Sequence, residues 1–354
     1  MQILYSRLNR GNFGGNSLDG FRRQQTVTEC WRQIDGQWRL VSTPFTDDWP
    51  LEKRRQIAAE VAAHMESDQT AFGAFLESRL VGFVTLSHQV FGRGCRYMEL
   101  SCLQVSQEYR GRGIGKTLFR MAADAAGGLG ADRLYISAHC AKETQAFYAA
   151  MGCVHAAQIN EALAAGEPLD VQLEYTIPPV LTVNGKPYTR VRLLGKGKGG
   201  YSWLVQDEKE AYVLKQIHHE PCDYYHFGDK LASELRDYAR LREAGIPIPT
   251  LLEVDRVQER LLKAYIDGPT AFSLVKQDEM RQEYIDQVYA MCEKLYPAGL
   301  NIDYFPTNFV LSEGKLWYID FECNGYMDQW NFRNWGIRYW SKTPEFLEYL
   351  HRQG

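Results

Sequence analysis

The sequence predicts an α+β protein of two domains. Its 354 residues are enough for two ordinary domains, and Pro178-Pro179 interrupts regular structure near the middle of the chain. Each half also carries one glycine-rich turn. The first turn leads into a helix, whereas the second lies between two predicted strands. We therefore expect domains at 1–177 and 187–354, with a linker and the start of a hairpin at 178–186.

Composition and charge exclude several functional classes. Hydrophobic residues make up 45% of the chain and charged residues 24%, which is typical of a soluble globular protein. The net charge of -4 argues against nucleic acid as the main partner, because proteins that bind phosphate backbones carry basic patches. The eight cysteines have no paired C-x-x-C spacing, which predicts reduced thiols. With neither a leader-like segment nor an apolar run of membrane length, we expect a cytoplasmic protein without a membrane partner.

The first half begins with a short strand and then an irregular stretch that contains Trp31, Trp38 and Trp49. Two interpretations of these tryptophans stay open: they face a substrate, or they belong to the core. After them, apolar residues recur at helical spacing with charges between, and strand-like runs follow. The expected elements are, in order, a helix at 51–65 and strands at 70–76, 80–87 and 96–105.

A glycine-rich turn follows the last of these strands. It runs from Gln107 to Lys116 as QEYRGRGIGK and leads into an apolar helix at 117–126. Glycines at a strand-to-helix junction let successive backbone N–H groups point at an anion, and the positive end of the helix dipole holds it. Basic side chains in the same turn add positive charge. The turn therefore predicts a phosphate-binding loop.

The full pattern resembles the Arg/Gln-x-x-Gly-x-Gly/Ala signature of the GNAT acetyltransferases. The preceding Leu103-Gln-Val105, the strand expected at 134–137 and the run Thr144 to Cys153 agree with it, so the resemblance covers about residues 1–177. It implies a mixed sheet with flanking helices that binds acetyl-CoA and acetylates an amine. The residues that would hold the pyrophosphate are Arg110, Gly111, Arg112, Gly113, Ile114, Gly115 and Lys116.

The resemblance also implies roles for three other residues. The backbone of Val105 would bind the pantetheine arm, and Tyr148 matches the family tyrosine that protonates the departing thiolate. Glu99 lies six residues before Val105 on the same strand face, where it would deprotonate the amine through water; a solvated strand carboxylate is the open alternative. Ala141 replaces an asparagine that is common in the family, which weakens one cofactor contact. We expect the stretch 160–170 to shape the acceptor pocket.

The second half opens with an Asn184-Gly185 hairpin turn. A G-x-G-x-x-G segment follows, formed by Gly195, Gly197 and Gly200. Because strands are expected on both sides of it, this segment is typical of a phosphate-covering flap rather than of a dinucleotide-binding turn. A short histidine- and cysteine-containing segment, with His218, His219, Cys222 and His226, is interpreted as loop packing, with zinc as the less favoured alternative.

A lysine and a glutamate follow the flap at suggestive spacing. Lys215 ends a strand-like run, and Glu234 lies nineteen residues later on a helix expected at 230–242. They either form a pair that orients the lysine toward nucleotide phosphates or are solvated surface residues. Strands are then expected near 251–254 and 260–266, and the backbone near Ile266 would bond the adenine.

Near the C-terminal end, an acid, an amide and a second acid form another constellation. Asp303 and Asn308 precede a hairpin expected from Phe309 to Ile319, and Asp320 follows it directly. This arrangement resembles the catalytic loop and metal-binding aspartate of the kinase superfamily. The resemblance implies a small two-lobed domain in which Asp303 orients a hydroxyl, while Asn308 and Asp320 hold Mg²⁺ on the phosphates of ATP or GTP.

Two departures favour the aminoglycoside-phosphotransferase and Rio-type branches: Asn301 replaces a histidine, and Glu322 replaces the glycine of Asp-Phe-Gly. Only 32 residues follow Glu322, so we expect no activation segment or large helical lobe. The favoured function is a bifunctional transferase that acetylates an amine and phosphorylates a hydroxyl on small polar, aminoglycoside-like acceptors. The alternatives are an acetyltransferase with a nucleotide-sensing domain, and an acetyltransferase/kinase pair that modifies a protein.

Overall fold

A computed structural model describes residues 2–220 and 229–353. These residues form two compact units. The first unit consists of the residues up to Lys209, the described residues 215–220 and the segment Asp255–Arg260. The second unit consists of Glu210–Leu214, the described residues 229–254 and the residues from Leu261 onward. Cys222 and His226, two members of the histidine and cysteine segment, lie outside the described residues. Within the described ranges, no helix is long and apolar enough to cross a membrane.

The first unit contains both helices and strands. In chain order they are β1 (Ile3–Arg7), β2 (Gln24–Ile34), β3 (Gln37–Asp48), α1 (Leu51–His64), β4 (Gln69–Leu76), β5 (Arg79–Phe91), β6 (Tyr97–Val105), α2 (Ile114–Gly128), β7 (Arg133–Ala138), α3 (Lys142–Ala150), β8 (Val154–His155), α4 (Glu161–Gly166), β9 (Val171–Thr176), β10 (Val180–Val183), β11 (Lys186–Lys196) and β12 (Gly200–Gln206).

The main sheet of the first unit has seven strands in the order β1-β4-β5-β6-β7-β9-β8. Its neighbours are antiparallel except for β6 and β7, which run parallel. Helix α2 buries its apolar face, including Leu118, Phe119 and Ala122, because apolar residues recur along it at helical spacing. The result is the mixed sheet with flanking helices that the sequence predicted.

The stretch predicted to be irregular before residue 50 is instead a long hairpin, so that prediction was wrong. β2 and β3 pair from Gln24↔Asp48 to Ile34↔Gln37. The turn is Asp35-Gly36, with positive φ at both residues (50° and 75°), as a tight hairpin turn requires. Apolar and polar residues do not alternate cleanly along the two strands, and this concealed the hairpin from sequence analysis.

The first unit extends past the predicted boundary because β10, β11 and β12 pack against α2. These strands pair antiparallel in that order. Arg190 Nη1 donates to the carbonyl of Gly127 at 2.6 Å, and Trp203 Nε1 donates to the carbonyl of Gly128 at 2.7 Å. Two carbonyls at the end of α2 are thereby satisfied. The assignment of 1–177 and 187–354 as separate functional domains stays a prediction.

The remaining elements complete the chain. They are β13 (Ala211–Ile217), α5 (Lys230–Glu243), β14 (Leu251–Asp255), β15 (Arg260–Ala264), α6 (Ala271–Lys276), α7 (Gln282–Leu295), β16 (Leu300–Ile302), β17 (Phe309–Ser312), β18 (Lys315–Tyr318), β19 (Cys323–Gly325) and α8 (Pro344–Gln353). In the second unit, α7 buries Val288, Met291 and Leu295 in a core that also contains Phe309 and Tyr318 of β17 and β18. The predicted hairpin is confirmed, with Phe309 opposite Tyr318.

Candidate functional site

An opening in the main sheet lies between β6 and β7. The two strands pair only from Tyr97↔Arg133 to Glu99↔Tyr135. Beyond that point β6 stays paired with β5 as far as Val105, and β7 stays paired with β9 as far as Ala138. Both strands therefore continue while their mutual hydrogen bonding stops. The facing backbone groups of the diverging ends need other partners, which an inserted ligand can supply.

The glycine-rich turn lies at the Val105 end of this opening. Gly111 and Gly113 have φ of 74° and 79°, which favours glycine at both positions. Gly113 is the N-cap of α2 and provides no side chain to cap it. The N–H groups of a first helical turn have no intrahelical acceptor. The turn thus presents backbone donors and a helix dipole that suit an anion, and phosphate binding at this turn stays a prediction.

The three basic side chains of this turn make different contacts. Arg110 Nε donates to the Val105 carbonyl at 3.1 Å, and its Nη1 donates to the Gln24 carbonyl at 2.9 Å. Arg112 lies 5.3 Å above the ring of Tyr109, and Lys116 is exposed. Arg110 therefore joins the end of β6 to the start of the hairpin. Its predicted contact with a pyrophosphate, like that of the other loop residues, stays a prediction.

Glu99 lies on β6, opposite Tyr135 of β7, at the point where the strands diverge. Burial raises the pKa of the Glu99 carboxyl, and a hydrogen bond from Ser101 acts in the opposite direction. Tyr135 Oη donates to Gln172 Oε1 at 2.8 Å and accepts the Asn160 N–H at 3.1 Å. The predicted acceptor stretch is therefore anchored through Asn160 to the strand beside Glu99.

Tyr148 lies on α3 and is 7% exposed. Its ring contacts Phe119 and Phe147. Burial raises the pKa of the phenol well above its usual range, with smaller contributions from Cys102, Cys153 and Asp170. A phenol in this setting is protonated at neutral pH, and its high pKa also makes it a weaker proton donor than a free phenol. The role of Tyr148 as the general acid stays a prediction.

Asp170 was not singled out from the sequence as a candidate catalytic group. Burial, together with the nearby charge of Glu167, raises the pKa of its carboxyl to about 6, against a lowering effect of Arg32. Its charge also acts on the Tyr148 phenol. Its position as the last residue of the predicted acceptor stretch was the available signal, but the sequence could not show that it lies near Tyr148.

The hairpin also lines a cavity of about 520 Å³ that the sequence could not place. The lining residues are Trp31, Trp38, Leu40, Lys142, Gln145, Ala146, Ala149, Cys153, Val154, His155, Val171 and Leu173. Trp38 is 38% exposed and stacks on His155 with ring centroids 5.1 Å apart. The core interpretation therefore fails for Trp38.

The glycine flap joins β11 to β12: Gly195 lies near the end of β11, and Gly200 is the first residue of β12. Gly197 N donates to the Gly200 carbonyl at 2.9 Å. A Cβ on Gly200 would lie 2.4 Å from the Gln216 carbonyl oxygen, so only glycine fits there, whereas Gly195 and Gly197 have open space. Lys215 lies on β13 and is 8% exposed. Close backbone approach thus explains one of the three glycines.

Two other predicted nucleotide contacts lie in the second unit. Glu234 lies on α5, which begins where Asp229 Oδ1 accepts the Ala232 N–H at 2.8 Å. The strand expected at 260–266 ends at Ala264, two residues earlier than predicted. Ile266 therefore lies beyond the end of β15, in irregular backbone. The pairing of Lys215 with Glu234 and the adenine contact of Ile266 stay predictions.

The second unit brings Asp303, Asn308 and Asp320 together. Asn308 Nδ2 donates to the Asp303 carbonyl at 3.4 Å, and the N–H of Ile319 donates to the Asn308 carbonyl at 2.9 Å. Asp320 follows Ile319 directly. The charges of this cluster also act on the hydroxyl of the buried Tyr318. Burial raises the pKa of this hydroxyl, and Asp320 and Asp303 raise it further.

The donor set at this point fits Mg²⁺. The Asn308 amide nitrogen faces the Asp303 carbonyl, which leaves its Oδ1 for another contact, and Asp320 supplies a carboxylate. Hard oxygen donors of this kind suit Mg²⁺, which usually takes one or two protein ligands together with substrate phosphates. The described ranges contain no group of three His, Cys, Asp or Glu side chains placed to hold a metal by themselves.

The two residues that depart from the kinase pattern, Asn301 and Glu322, each form a hydrogen bond with the chain nearby. Asn301 is 3% exposed, and its Nδ2 donates to the Trp330 carbonyl at 3.0 Å. Glu322 Oε1 accepts Asn324 Nδ2 at 2.9 Å. Asn301 thus connects the loop before Asp303 to the chain after Glu322.

Comparison with known proteins identifies a family for part of the chain. Residues 34–153 match the model described as the Acetyltransferase (GNAT) family. Among solved structures, nourseothricin acetyltransferase is 20% identical and covers 50% of this chain and 100% of that chain, with a TM-score of 0.39. The PaiA N-acetyltransferase of Thermoplasma acidophilum, in complex with coenzyme A, is 19% identical and covers 50% and 99%, with a TM-score of 0.32.

Two curated relatives match more weakly, through the second part of the chain. One is named "Probable bifunctional tRNA threonylcarbamoyladenosine biosynthesis protein", from Methanospirillum hungatei, and is 30% identical over 115 residues, 32% of this chain and 21% of the relative. The other is KEOPS complex subunit Bud32 of Pyrococcus abyssi, 30% identical over 96 residues, 26% of this chain and 44% of the relative. The chain thus spans about a fifth of the first relative and under half of the second.

Proposed function

Because residues 34–153 belong to the GNAT acetyltransferase family, we propose that the first unit transfers the acetyl group of acetyl-CoA to an amine. One observation carries this proposal: β6 and β7 separate beyond Glu99, and the uncapped N-terminus of α2 lies at the same end of β6. A thioester arm that enters the opening and a pyrophosphate that binds the turn would satisfy both sets of backbone groups.

The residues of the first unit have complementary roles in this reaction. Acetyl-CoA supplies an activated acyl group when bound. The N–H groups from Gly111 to Lys116 hold its phosphates, and Arg110 keeps the Val105 end of β6 in place. Glu99 takes a proton from the acceptor amine, directly or through water, and Tyr148 donates a proton to the departing sulfur. The raised pKa brings the half-buried Glu99 carboxylate closer to neutral pH, as a general base requires, and burial keeps the Tyr148 phenol protonated.

We further propose that the second part of the chain transfers a phosphoryl group from Mg-ATP or Mg-GTP to a hydroxyl. The weak similarity to Bud32 and the grouping of Asp303, Asn308 and Asp320 support this. Mg²⁺ would supply charge neutralisation of the phosphates when bound. Asp303 would orient the acceptor hydroxyl, and the flap and Lys215 would hold the nucleotide phosphates. The pairing of Lys215 with Glu234 is part of this proposal.

The acceptors that we propose are small polar molecules with amine and hydroxyl groups, of the aminoglycoside type. Polar side chains on the strands beside Glu99 support such an acceptor: Gln172 Nε2 donates to Ser137 Oγ at 2.9 Å, and Gln172 Oε1 accepts from Tyr135. Hydrogen-bonding groups at this position discriminate strongly between acceptors that can and cannot satisfy them.

Mass spectrometry of candidate acceptors incubated with both donors tests both halves. The panel contains simple amines, aminoglycosides and peptides. We expect an acetyl gain that depends on Tyr148 and Glu99 and a phosphoryl gain that disappears in Asp320→Asn. Nucleotide binding without any phosphoryl product, under conditions that give acetylation, would contradict the phosphotransferase proposal and favour a nucleotide-sensing role. Acetylation that survives in Glu99→Gln and Tyr148→Phe would contradict the proposed roles.

A further inference from the structure

A lysine inside the glycine flap is held by a carboxylate from the chain that follows β13. Lys196 stands between Gly195 and Gly197, and its Nζ lies 2.6 Å from Glu220 Oε2. The ammonium also lies 5.0 Å above the ring of Tyr201. All of these residues belong to the first unit. Lys196 therefore gives the flap a positive charge that Glu220 neutralises in the structure.

The partners of Lys196 are themselves fixed to the flap. Tyr201 Oη donates to the second oxygen of Glu220 at 2.9 Å, and the N–H of Glu220 donates to His218 Nδ1 at 3.2 Å. His218 Nε2 lies 2.9 Å from the Gly197 carbonyl. We refer to Lys196, His218 and Glu220 as the flap latch. This arrangement holds the middle of the glycine segment against the residues that follow Ile217.

The ion pair of the latch can open easily. The Lys196 and Glu220 side chains are 45% and 33% exposed, and a solvated ion pair of this kind contributes little to folding stability. A nucleoside triphosphate brings several negative charges to the flap, whereas Glu220 brings one, and phosphate oxygens accept charge-assisted hydrogen bonds from an ammonium as a carboxylate does. The phosphates therefore compete effectively with one carboxylate for the same ammonium.

We propose that Lys196 binds the phosphates of the nucleotide and that Glu220 occupies Lys196 when the nucleotide is absent. This inference rests on the proposed phosphoryl transfer, because it needs a nucleotide under the flap. It assigns a binding role to a lysine that the G-x-G-x-x-G pattern leaves unspecified. It also assigns to Glu220 the role of a competitor rather than of a ligand.

The two residues then have opposite effects on affinity. Lys196→Gln removes a phosphate contact, so the dissociation constant for Mg-ATP should rise about tenfold, the size expected for one charge-assisted contact. Glu220→Gln removes the competing charge but keeps a hydrogen-bonding side chain. Its dissociation constant should fall about threefold to fivefold, in line with the strength of a solvated ion pair.

The chain offers a matched control on the same strand. Lys186 at the start of β11 forms an ion pair with Asp207 at 3.0 Å, and its ammonium lies 4.8 Å above the ring of Tyr188. This pair has the same chemistry as the latch but lies outside the glycine segment. Lys186→Gln should therefore leave the affinity for Mg-ATP unchanged.

The experiment is calorimetric titration of the full chain with Mg-ATP, using wild type, the three variants and Lys215→Met. Equal thermal stabilisation by acetyl-CoA confirms that each variant is folded. Weaker binding in Lys196→Gln with tighter binding in Glu220→Gln supports the inference. If Lys215→Met abolishes binding while both latch variants match Lys186→Gln, the inference fails and the phosphotransferase proposal stands. Weaker binding in Glu220→Gln also overturns the inference. If the wild type binds no nucleotide, both fail together.

Discussion

Arg260 and Asp124 form a buried ion pair between residues that are 136 positions apart in the chain, with Nη1 2.9 Å from the carboxylate Oδ2. Arg260 is fully buried, and it also donates to the Asp124 carbonyl at 2.8 Å, the Thr182 carbonyl at 2.6 Å and Gln216 Oε1 at 2.7 Å. Asp124 lies on α2, the helix that begins at the glycine-rich turn. Helix α2 is therefore joined internally to strands that lie beyond the predicted domain boundary.

Replacing Arg260 should destabilise the first unit strongly. Arg260→Met keeps much of the side-chain volume but leaves the Asp124 carboxylate without its cationic partner in a buried site. Breaking a buried pair in this way costs about 3–5 kcal/mol of the free energy of unfolding. Chemical denaturation followed by tryptophan fluorescence measures the loss. The exposed pair of Arg10 and Glu66 provides the control, and Arg10→Ala should cost less than about 1 kcal/mol. Equal effects of the two substitutions would contradict this account.

Gly128 should not tolerate alanine, although alanine usually favours a helix. A Cβ at this position of α2 would lie 2.4 Å from Gln216 Oε1 and 2.9 Å from Arg260 Nη2. Because Gln216 is bonded to Arg260, it cannot move away without breaking the network. We expect Gly128→Ala to lose about 1–3 kcal/mol of stability. Gly166, the last residue of α4, has no atom within 4 Å of a built Cβ. Thermal unfolding should show no loss for Gly166→Ala, and a gain in Gly128→Ala would refute the packing argument.

Local patterns predicted most elements of the fold. Local patterns indicated helices at 51–65 and 230–242, and the structure has Leu51–His64 and Lys230–Glu243. The hairpin from Phe309 was also predicted, because two apolar runs and a tight turn define it locally. The hairpin of β2 and β3 was missed because its strands do not alternate cleanly between apolar and polar residues. Its Asp-Gly turn was the signal that should have been weighed more.

The sites were predictable only as far as they depend on contiguous motifs. The glycine turn before α2 and the loop from Asp303 to Asn308 are short segments in which spacing determines geometry. Three other features depend on tertiary packing and could not be predicted. They are the hydrogen bond from Arg110 to the Gln24 carbonyl, the nearness of Asp170 to Tyr148 and the position of Trp38 at a cavity. Pro178-Pro179 lies between β9 and β10, which belong to different sheets, but packing on α2 decides where the compact unit ends.

The rate of acetyl transfer should depend on pH through Glu99. Only the carboxylate can accept a proton, and burial raises the pKa of Glu99 above its usual 4.5, so the acid limb of kcat/KM should lie above that pH. The Ser101 hydrogen bond stabilises the carboxylate, so Ser101→Ala should move the limb to higher pH. Glu99→Gln should lower kcat/KM about 10²- to 10⁴-fold and abolish the limb. A limb that persists unchanged in Glu99→Gln would assign it to another group, and Asp170 would be the next to test.

The stability of the first unit should fall at mildly acidic pH because of His88. Burial, together with the nearby charges of Arg7 and His219, lowers the pKa of its imidazole to about 4, against smaller opposing effects of Glu220 and Asp68. The neutral ring lies 2.8 Å from Thr70 Oγ1, which also accepts Arg7 Nη2 at 3.2 Å. In the unfolded chain the imidazole takes up a proton near its usual pKa of 6.5. The contribution of the neutral His88 to the free energy of unfolding is therefore complete above pH 6.5 and is lost as the pH falls toward about 4.

The loss between pH 7.5 and pH 5 should be about 2 kcal/mol, since each unit of pKa difference is worth about 1.4 kcal/mol. His88→Gln removes the titrating group and retains a side chain that can hydrogen-bond to Thr70. The variant is therefore expected to show a correspondingly flatter dependence of the unfolding free energy on pH, as measured by denaturant titration at both values. The exposed His351 serves as the control, and His351→Gln should keep the wild-type slope. A wild-type slope in His88→Gln would show that protonation of other groups causes the acid sensitivity.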